Sequence, residues 1–360
     1  MSALHKANKL ELSPLRSSVK KAGFARWRYV FNAKNSHTGE KAVFFIELYV
    51  VNPGLSPDEV VWSALHAMPE AKDESQLFLP QESPAPHSYV LLRVGRYGLG
   101  GETLHSFFPS GSLSLSGKLL KVDEGAFQLE GDSLLGNARD GGKSASWQLK
   151  VERLANFLPG KMQKDMYWGA PAVRAMYSGD LRFCGESYTV SAGSSFGYID
   201  KLWGKDHPYP FFHLSCSHLS SMITGKPLVN AAFAVQGIYS DSFALYSEVG
   251  GIKLSRPRVK NKPNFGCVAM DNKLHWTVSV PFRQYLIDID VFCDSQDMSV
   301  RSYICPTNPL EELQVLGGST GTGELRLYRR IKRRNLELLE HASLQDVRCE
   351  YGGREQTEEG

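Results

Sequence analysis

Most of the chain shows the hydrophobic patterns of β-strands rather than those of helices. Residues 112–116 alternate strictly between serine and leucine, and every second residue of 146–151 is polar, as in half-buried strands. Residues 42–51 and 88–97 are almost continuously apolar, which suits strands buried on both faces. Because helical periodicity is scarce over any long stretch, the patterns predict an all-β fold.

Glycine, aspartate and asparagine mark turns between these segments. They tolerate the positive φ of tight turns, so apolar runs on either side of them predict hairpins. Three hairpins are predicted in this way: residues 181–190 around Gly185, 243–254 around Gly250-Gly251, and 267–280 around Asp271-Asn272. Residues 57–75 are compatible with either a short helix or a loop. Residues 80–86 are rich in turn-forming residues.

The spacing of the strands favours two β units. Strands that recur about every 8–12 residues, separated by turn signals, are typical of antiparallel sandwiches and barrels. Their number exceeds one small barrel, and 360 residues are enough for two ordinary domains. Pro159-Gly160 and Pro171 interrupt the pattern between residues 157 and 171. We therefore predict an N-terminal β domain, residues 1–165, and a C-terminal β domain, residues 166–360.

Composition and charge exclude several classes of protein. Hydrophobic residues make up 42% and charged residues 22% of the chain, which is typical of a globular protein without disorder. A net charge of +3 indicates no nucleic-acid partner. The apolar stretches are too short for a membrane-spanning helix, and the start of the chain lacks the apolar stretch of a signal peptide. We expect a cytoplasmic protein.

The six cysteines are scattered and form no CxxC pair. Structural zinc sites and disulfide frameworks usually show recognisable cysteine spacings. The distribution therefore predicts reduced, buried thiols and no metal site.

Residues 196–204, Phe-Gly-Tyr-Ile-Asp-Lys-Leu-Trp-Gly, hold the densest group of reactive side chains. In a strand, Tyr198 and Asp200 share one face. Lys201 and Trp203 share the other. Desolvation in an apolar cavity would raise the pKa of Asp200 and make it a proton donor near neutral pH. The alternative is structural: Asp200 pairs with a lysine or another strand, and Trp203 closes one end of a barrel.

Histidines offer further candidates for proton transfer. His213 and His218 have opposite parity within one aromatic strand, so they would point apart and would not jointly bind a metal. Either imidazole could carry protons near neutral pH, or could be a hydrogen-bonded core or surface group. His105, which lies just before two phenylalanines, leaves the same alternatives open.

Two further segments have an unusual composition, one rich in glycine and the other rich in basic residues. Residues 317–323 are rich in glycine but lack the Gly-Lys-Ser/Thr ending of a P-loop, so they predict a bend or bulge in a strand. A basic segment lies between two strand-like runs and contains Arg329, Arg330, Lys332, Arg333 and Arg334. It predicts a solvated hairpin tip, or a contact with an anionic membrane at about 1 kcal/mol for each basic residue.

Several segments together resemble the tocopherol cyclase family. In that family an aromatic residue, an acid-lysine pair and Trp-Gly precede an aromatic strand, and residues 195–204 follow this pattern with Leu202 in place of the usual asparagine. Further similar segments are residues 177–179, 185–190, 223–226, 318–328 and 349–352, and in the first half residues 105–109 and 144–149.

The resemblance implies a lipocalin-like (calycin) architecture with two antiparallel β-barrel or sandwich halves, related to carotenoid hydratases and fungal Diels-Alder cyclases. It also implies an apolar prenyl or polyene ligand and a proton-initiated cyclisation that needs no cofactor. Asp200 would be the acid, with Tyr198 and His213 orienting the ligand or relaying protons. The expected ligand-binding residues are Trp203, Phe211, Lys201, Trp147 and His105. A non-catalytic lipid or pigment binder, and an interaction protein whose cavity is filled by its own side chains, are the alternatives.

Overall fold

The computed structural model describes residues 23–54, 88–116, 119–163, 165–207, 209–239, 241–332 and 335–354. These residues form β-strands almost throughout, which confirms the predicted all-β class. The possible helix at 57–75, the turn-rich residues 80–86, and Arg333 and Arg334 of the basic segment lie outside the described residues.

The first sheet is antiparallel and contains twelve strands in the order β4-β3-β2-β1-β11-β10-β9-β8-β7-β6-β5, with β12 paired to β1 and β10. The strands are β1 (Phe24–Asn35), β2 (Lys41–Val51), β3 (Tyr89–Arg96), β4 (Thr103–Phe108), β5 (Leu113–Leu115), β6 (Leu119–Val122), β7 (Phe127–Glu130), β8 (Ser133–Asp140), β9 (Lys143–Gln163), β10 (Met166–Phe183), β11 (Glu186–Val190) and β12 (Gly197–Gly204).

The second sheet is also antiparallel and contains eleven strands in the order β17-β16-β15-β13-β23-β22-β20-β19-β18, with β14 paired to β23 and β21 to β22. The strands are β13 (Phe211–Cys216), β14 (His218–Ser221), β15 (Ala232–Ile238), β16 (Ser242–Val249), β17 (Ile252–Lys260), β18 (Phe265–Met270), β19 (Lys273–Pro281), β20 (Tyr285–Asp294), β21 (Ser299–Cys305), β22 (Asn308–Lys332) and β23 (Asn335–Arg354).

Helical structure in the described residues is limited to single turns. One short α-helical turn, Asn261–Asn264, connects β17 to β18. The 3-10 turns are Ser110–Ser112, Asp123–Gly125, Ala192–Ser194 and Ser295–Asp297.

The local turn predictions are confirmed. The residue pairs that close the three hairpins are Phe183 with Glu186, Val249 with Ile252, and Met270 with Lys273. The predicted irregularity in the glycine-rich segment is present, since the register of β22 against β23 shifts between Gly318 and Gly323. Of the basic segment, Arg329, Arg330 and Lys332 lie at the end of β22, where Lys332 pairs with Asn335 of β23, as expected beside a hairpin tip.

The change from one sheet to the other does not fall at residue 165. Strands β9 and β10 pair with each other on both sides of that position, and β12 also belongs to the first sheet. Pro159-Gly160 accompanies shifts in the register of β9 against β10 rather than a linker. The chain passes to the second sheet between Gly204 and Phe211. The division into two domains stays a prediction.

Alternate residues of the first sheet enter two different apolar cores. Trp27 of β1 and Ile199 of β12 pack in a core made by the first sheet alone, the first interior. Val30 and Tyr198 point the other way and pack with second-sheet residues such as Phe211, in a core that we call the junction. A third core lies within the second sheet. The predicted separation of Tyr198 and Asp200 from Lys201 and Trp203 is confirmed, because side chains alternate along β12.

Candidate functional site

A row of charged residues crosses the junction face of the first sheet. Its members are neighbours in the strand register: Arg93 of β3, Glu47 of β2, Arg28 of β1 and Asp200 of β12. Each of the four is at most 2% exposed. Directly paired positions in neighbouring strands face the same way, so the fold sets opposite charges side by side in this row.

A second polar row crosses the facing surface of the second sheet. Its members are Gly317 of β22, Glu350 of β23, His213 of β13 and Gln236 of β15, again neighbours in the register. The side chains of Glu350, His213 and Gln236 have no exposed surface. Packing of the two sheets therefore brings two rows of buried polar groups into contact.

Arg28 joins the two rows with one guanidinium group. Its Nε and Nη2 donate to Asp200 Oδ1 and Oδ2 at 3.1 and 2.7 Å. Its Nη1 donates to Glu350 Oε1 and Oε2 at 2.7 and 2.6 Å. Hydrogen bonds between ionised partners are stronger than neutral ones, and the planar fork of arginine suits paired carboxylate oxygens. Arg28 thus connects a carboxylate of each sheet.

Further ion pairs extend this link. Arg301 and Arg348 both donate to Glu350 Oε1, Arg348 at 3.1 Å. Around Glu47, Arg93 Nη1 lies 3.1 Å from Oε1 and the Tyr303 hydroxyl donates at 2.8 Å. We define the charged cluster as Arg26, Arg28, Glu47, Arg93, Asp200, Arg301, Arg348 and Glu350, all at most 3% exposed.

Gly317 makes room for part of the charged cluster. A Cβ atom at this position would lie 2.5 Å from Arg301 Nη2 and 3.2 Å from Glu350 Cγ. No side chain fits so close to the guanidinium group without moving it. Glycine at this point of β22 therefore allows the backbone to approach the Arg301–Glu350 pair.

The carboxylates of the charged cluster are ionised at neutral pH. Burial alone would raise the pKa of Asp200, but the guanidinium groups of Arg28 and Arg26, with a smaller effect from Arg348, lower it to about 2. The same opposition between burial and arginines holds the pKa of Glu350 well below its usual value. The predicted upward shift for Asp200 is wrong, because Asp200 faces arginines rather than an apolar cavity.

His213 is held as a neutral imidazole beside the charged cluster. Its Nδ1 lies 2.8 Å from Gln236 Oε1, and its Nε2 lies 2.9 Å from Ser215 Oγ. An amide oxygen accepts, so in this arrangement Nδ1 carries the proton and Nε2 accepts from Ser215. Burial, assisted by Arg348 and Arg28, lowers the pKa of His213 to about 3. His218 lies elsewhere, stacked on Phe196, so the predicted divergence of the two histidines is confirmed.

Three buried side chains near His213 have donor atoms without a hydrogen-bond partner among the described residues. These atoms are the Tyr198 hydroxyl, Gln236 Nε2, and Nε and Nη1 of Arg348. The Arg348 guanidinium lies 5.3 Å from the centre of the Tyr198 ring, and that ring lies 5.2 Å from the His213 ring. Because His213 in turn contacts Gln236, the four atoms belong to one small region of the junction.

The other predicted site residues lie away from this region. Lys201 Nζ is 4.6 and 5.3 Å from the ring centres of Trp27 and Trp203, in the first interior, where Trp147 is also buried. The His105 side chain is 31% exposed, 3.5 Å from Asp140 Oδ2. The structure thus brings together Tyr198, Asp200 and His213, with Phe211 in the same junction core, and separates them from Lys201, Trp203, Trp147 and His105.

The amino-acid sequence did not identify the arginines of the charged cluster as site residues. The signal was present but ambiguous: Arg26 and Arg28 alternate with Trp27 and Tyr29, a pattern that usually indicates a solvent-facing side of a strand. Glu47 interrupts the apolar run of residues 42–51. A charge inside a run that is otherwise buried on both faces is the one local indication of a buried partner.

Other features concern metals, thiols and membranes. Among the described residues, no group of three or more His, Cys, Asp and Glu side chains could hold a metal ion. All six cysteines are free, four of them buried and Cys184 and Cys267 half-buried. No helix in the described part of the chain is long and apolar enough to cross a membrane.

Comparisons with known proteins give a likeness of structure only. No family model and no curated protein matches the chain. An AttH-like protein from Nitrosomonas europaea is 10% identical over 89% of this chain and 92% of that chain, with a TM-score of 0.42. Kievitone hydratase from Nectria haematococca is 10% identical over 94% of each chain, with a TM-score of 0.34. These values are too low to transfer a function, and the likeness to tocopherol cyclases stays a prediction.

Proposed function

We propose that this protein binds an apolar ligand of the prenyl or polyene type, whose polar end meets the charged cluster in the junction. The proposal rests on the unpartnered donors of Tyr198, Gln236 and Arg348, which are fully buried or nearly so. Buried polar groups in native proteins almost always have a hydrogen-bond partner, because leaving one unpaired is costly. A bound ligand would supply that partner.

Aromatic side chains of the junction would hold the apolar part of the ligand. Phe157 packs against Trp168 and Tyr246, with 5.7 Å between ring centres in both cases. Trp168 also lies 6.4 Å from the ring of His213, so the aromatic wall adjoins the unpartnered donors. Sites for small apolar molecules typically combine such walls with a few well-placed polar groups.

A direct test is a titration of the full chain with a prenyl-quinol, in which the quenching of tryptophan fluorescence measures binding. Phe157→Ala should weaken binding about tenfold, as for the loss of a buried aromatic contact. Phe127→Ala is the matched control, because Phe127 is also buried but lies in the first interior. The proposal fails if the folded protein takes up neither a prenyl-quinol nor a polyene, or if both variants bind equally well.

Cyclisation of the bound ligand, as in tocopherol cyclases, is the second candidate function. A proton would add to the alkene, the phenol oxygen would bond to the resulting cation, and the phenol proton would pass to a base. The ionised Asp200 suits the base, and the free Tyr198 hydroxyl can donate a hydrogen bond to the ligand. Burial raises the pKa of Tyr198 well above its usual value, however, so it is a weak acid for the first step. The site therefore supports binding better than cyclisation.

The cyclisation candidate has its own test. Purified protein incubated with a prenyl-quinol should yield a chromanol of identical mass and different retention, detected by liquid chromatography and mass spectrometry. Asp200→Asn should abolish the product if the carboxylate is the base. A product that persists in this variant removes Asp200 from the reaction.

We also propose a peripheral membrane contact through the tip of the β22–β23 hairpin. The side chain of Arg329 is 54% exposed. Its neighbours in the tip include apolar side chains with unusual exposure: Ile331 at 60%, Leu336 at 47% and Leu338 at 43%. Basic residues beside exposed apolar ones favour an anionic lipid surface.

Sedimentation with lipid vesicles tests the membrane contact. The protein should bind vesicles that contain phosphatidylserine and not vesicles of phosphatidylcholine alone. The double variant R329Q/R330Q should lose most of that binding, whereas Arg258→Gln, an exposed arginine of β17, should keep it. Equal binding to both kinds of vesicle would contradict the proposal.

A further inference from the structure

We propose that the polar end of the junction ligand is a carboxylate that binds Arg348 together with Tyr198 and Gln236. This inference rests on the proposed function, since it specifies the head group of the same ligand. It depends on two separate observations, the charge balance of the charged cluster and the chemical nature of the unpartnered atoms.

The charged cluster contains more positive than negative charge. Five guanidinium groups (Arg26, Arg28, Arg93, Arg301 and Arg348) accompany three carboxylates (Glu47, Asp200 and Glu350), all at most 3% exposed. His213 is neutral and adds no charge. Removing an ion from water without a counterion is strongly unfavourable, so an excess of two buried cations favours a bound anion.

The carboxylates of the charged cluster are already engaged. Asp200 accepts from Arg28 and from the Trp168 indole at 3.3 Å. Glu350 accepts from three arginines, and Arg348 supplies only its Nη2 to that contact. The remaining two nitrogens of Arg348 have no hydrogen-bond partner in the described part of the chain. Arg348 is therefore the arginine beside His213 that can bind another acceptor.

The unpartnered atoms point to an oxygen anion. Arg348 Nε, Arg348 Nη1 and Gln236 Nε2 can only donate, and the Tyr198 hydroxyl can donate as well. A carboxylate only accepts when it is ionised, so its two oxygens can take several of these donors at once. A neutral hydroxyl could accept one or two hydrogen bonds but would leave the excess charge in place.

The surroundings favour a carboxylate that carries a long apolar chain. The aromatic wall of Phe157, Trp168 and Tyr246 lies next to the donors and would contact hydrocarbon rather than water. A small carboxylate such as acetate would satisfy the donors but would make no contact with this wall. The geometry thus predicts that the carboxylate and the hydrocarbon chain of one ligand bind together.

Isothermal titration calorimetry with three probes tests this inference: oleate, oleyl alcohol and acetate. Oleate should bind about 10–100 times more tightly than oleyl alcohol, as expected for hydrogen bonds to a charged group. Acetate should show no binding at the same concentrations. In Arg348→Gln the preference for oleate over the alcohol should disappear.

Tyr198→Phe provides a variant whose folding is not in question, since the hydroxyl that it removes makes no hydrogen bond to a described residue. It should weaken oleate binding about tenfold. Tyr303→Phe is the matched control: it removes a buried hydroxyl that is already bound to Glu47, and oleate affinity of the folded protein should not change.

The possible outcomes separate the two proposals. Equal affinities for oleate and oleyl alcohol would overturn the carboxylate head group while the proposed function stands. Binding of acetate as tight as that of oleate would support the anion site and overturn the apolar ligand. Binding of a prenyl-quinol but of none of these probes would overturn the carboxylate head group alone, and binding of neither would overturn both proposals.

Discussion

The first interior and the junction receive alternate side chains of the same strands, yet they bury very different chemistry. In the first interior, Lys201 lies near the rings of Trp27 and Trp203, beside a large apolar core. In the junction, eight charged side chains are buried among aromatic residues. The difference shows how charge becomes buried in this fold: in the junction, opposite charges lie side by side along the first sheet and the second sheet adds Glu350 and its arginines against them, whereas the first interior is made by one sheet.

This comparison also indicates what the charged cluster contributes. Desolvation of ion pairs can cost more than their attraction returns, so the cluster need not raise the overall stability. Its hydrogen bonds demand particular positions, because Arg28 contacts Asp200 and Glu350 only when β12 and β23 face each other in one register. We infer that the cluster fixes how the two sheets pack, and that apolar contacts supply most of the stability.

The largest expected effect is that of Arg28→Met, which leaves two buried carboxylates without their main partner. Loss of one partner from a buried ion pair typically costs about 3–5 kcal/mol of unfolding free energy. Lys201→Met is the matched control in the first interior and should cost about 2 kcal/mol or less, the range of a desolvated cation–π contact. Urea unfolding measures both values. Equal losses would show that the junction does not depend on its charges more than the first interior does.

The second effect is a dependence of stability on pH that originates in His213. Its folded pKa of about 3 lies below the unfolded value of about 6.5, so the unfolded chain binds more protons between these pH values. Stability therefore falls as the pH decreases through this window, by about 2 kcal/mol from pH 7 to pH 5.

His213→Gln should reduce that dependence, because glutamine does not titrate. His37→Gln, on the exposed turn after β1, should leave it unchanged. Unfolding free energies at a series of pH values give the two slopes. Identical slopes in the wild type and His213→Gln would contradict the assignment.

A third comparison concerns Gly317, which lies against the Arg301–Glu350 pair. Gly317→Ala should cost about 1–3 kcal/mol, as is typical when extra atoms are forced into a packed core. At Gly193 an added Cβ would contact nothing within 4 Å, so Gly193→Ala should have almost no effect. Thermal unfolding of both variants checks the prediction, which a similar melting temperature for the two would refute.

The smallest expected change is that of Tyr198→Phe on stability. Its hydroxyl has no hydrogen-bond partner in the described residues, so its removal breaks no hydrogen bond within them and should not lower the unfolding free energy. Tyr303→Phe removes a hydroxyl that donates to the ionised Glu47, and should cost about 1.5–3 kcal/mol. Denaturant unfolding distinguishes them, and a larger loss in Tyr198→Phe would mean that its hydroxyl already has a partner.

Local features of this protein followed from the sequence because they depend on neighbours along the chain. The period of two in residues 196–204 placed Tyr198 and Asp200 on one face, and the structure has them there. Glycine and asparagine marked the hairpins for the same local reason, the positive φ of tight turns. The sheet boundary could not be found in this way, because Pro159-Gly160 interrupts a strand pair as readily as it marks a linker.

The environment of Asp200 was decided by tertiary structure alone. Its partner Arg28 lies 172 residues away along the chain. Glu350, which binds the same arginine, lies 322 residues from Arg28. The sequence determined that Asp200 would be buried on one face of a strand, and from this its pKa was expected to rise. Pairing of four strands and packing of two sheets then placed arginines against it, and their charge outweighs the effect of burial and lowers the pKa. Electrostatic environment depends on which strands pair beside a side chain and on what packs against it across the core, and no local pattern of residues contains that information.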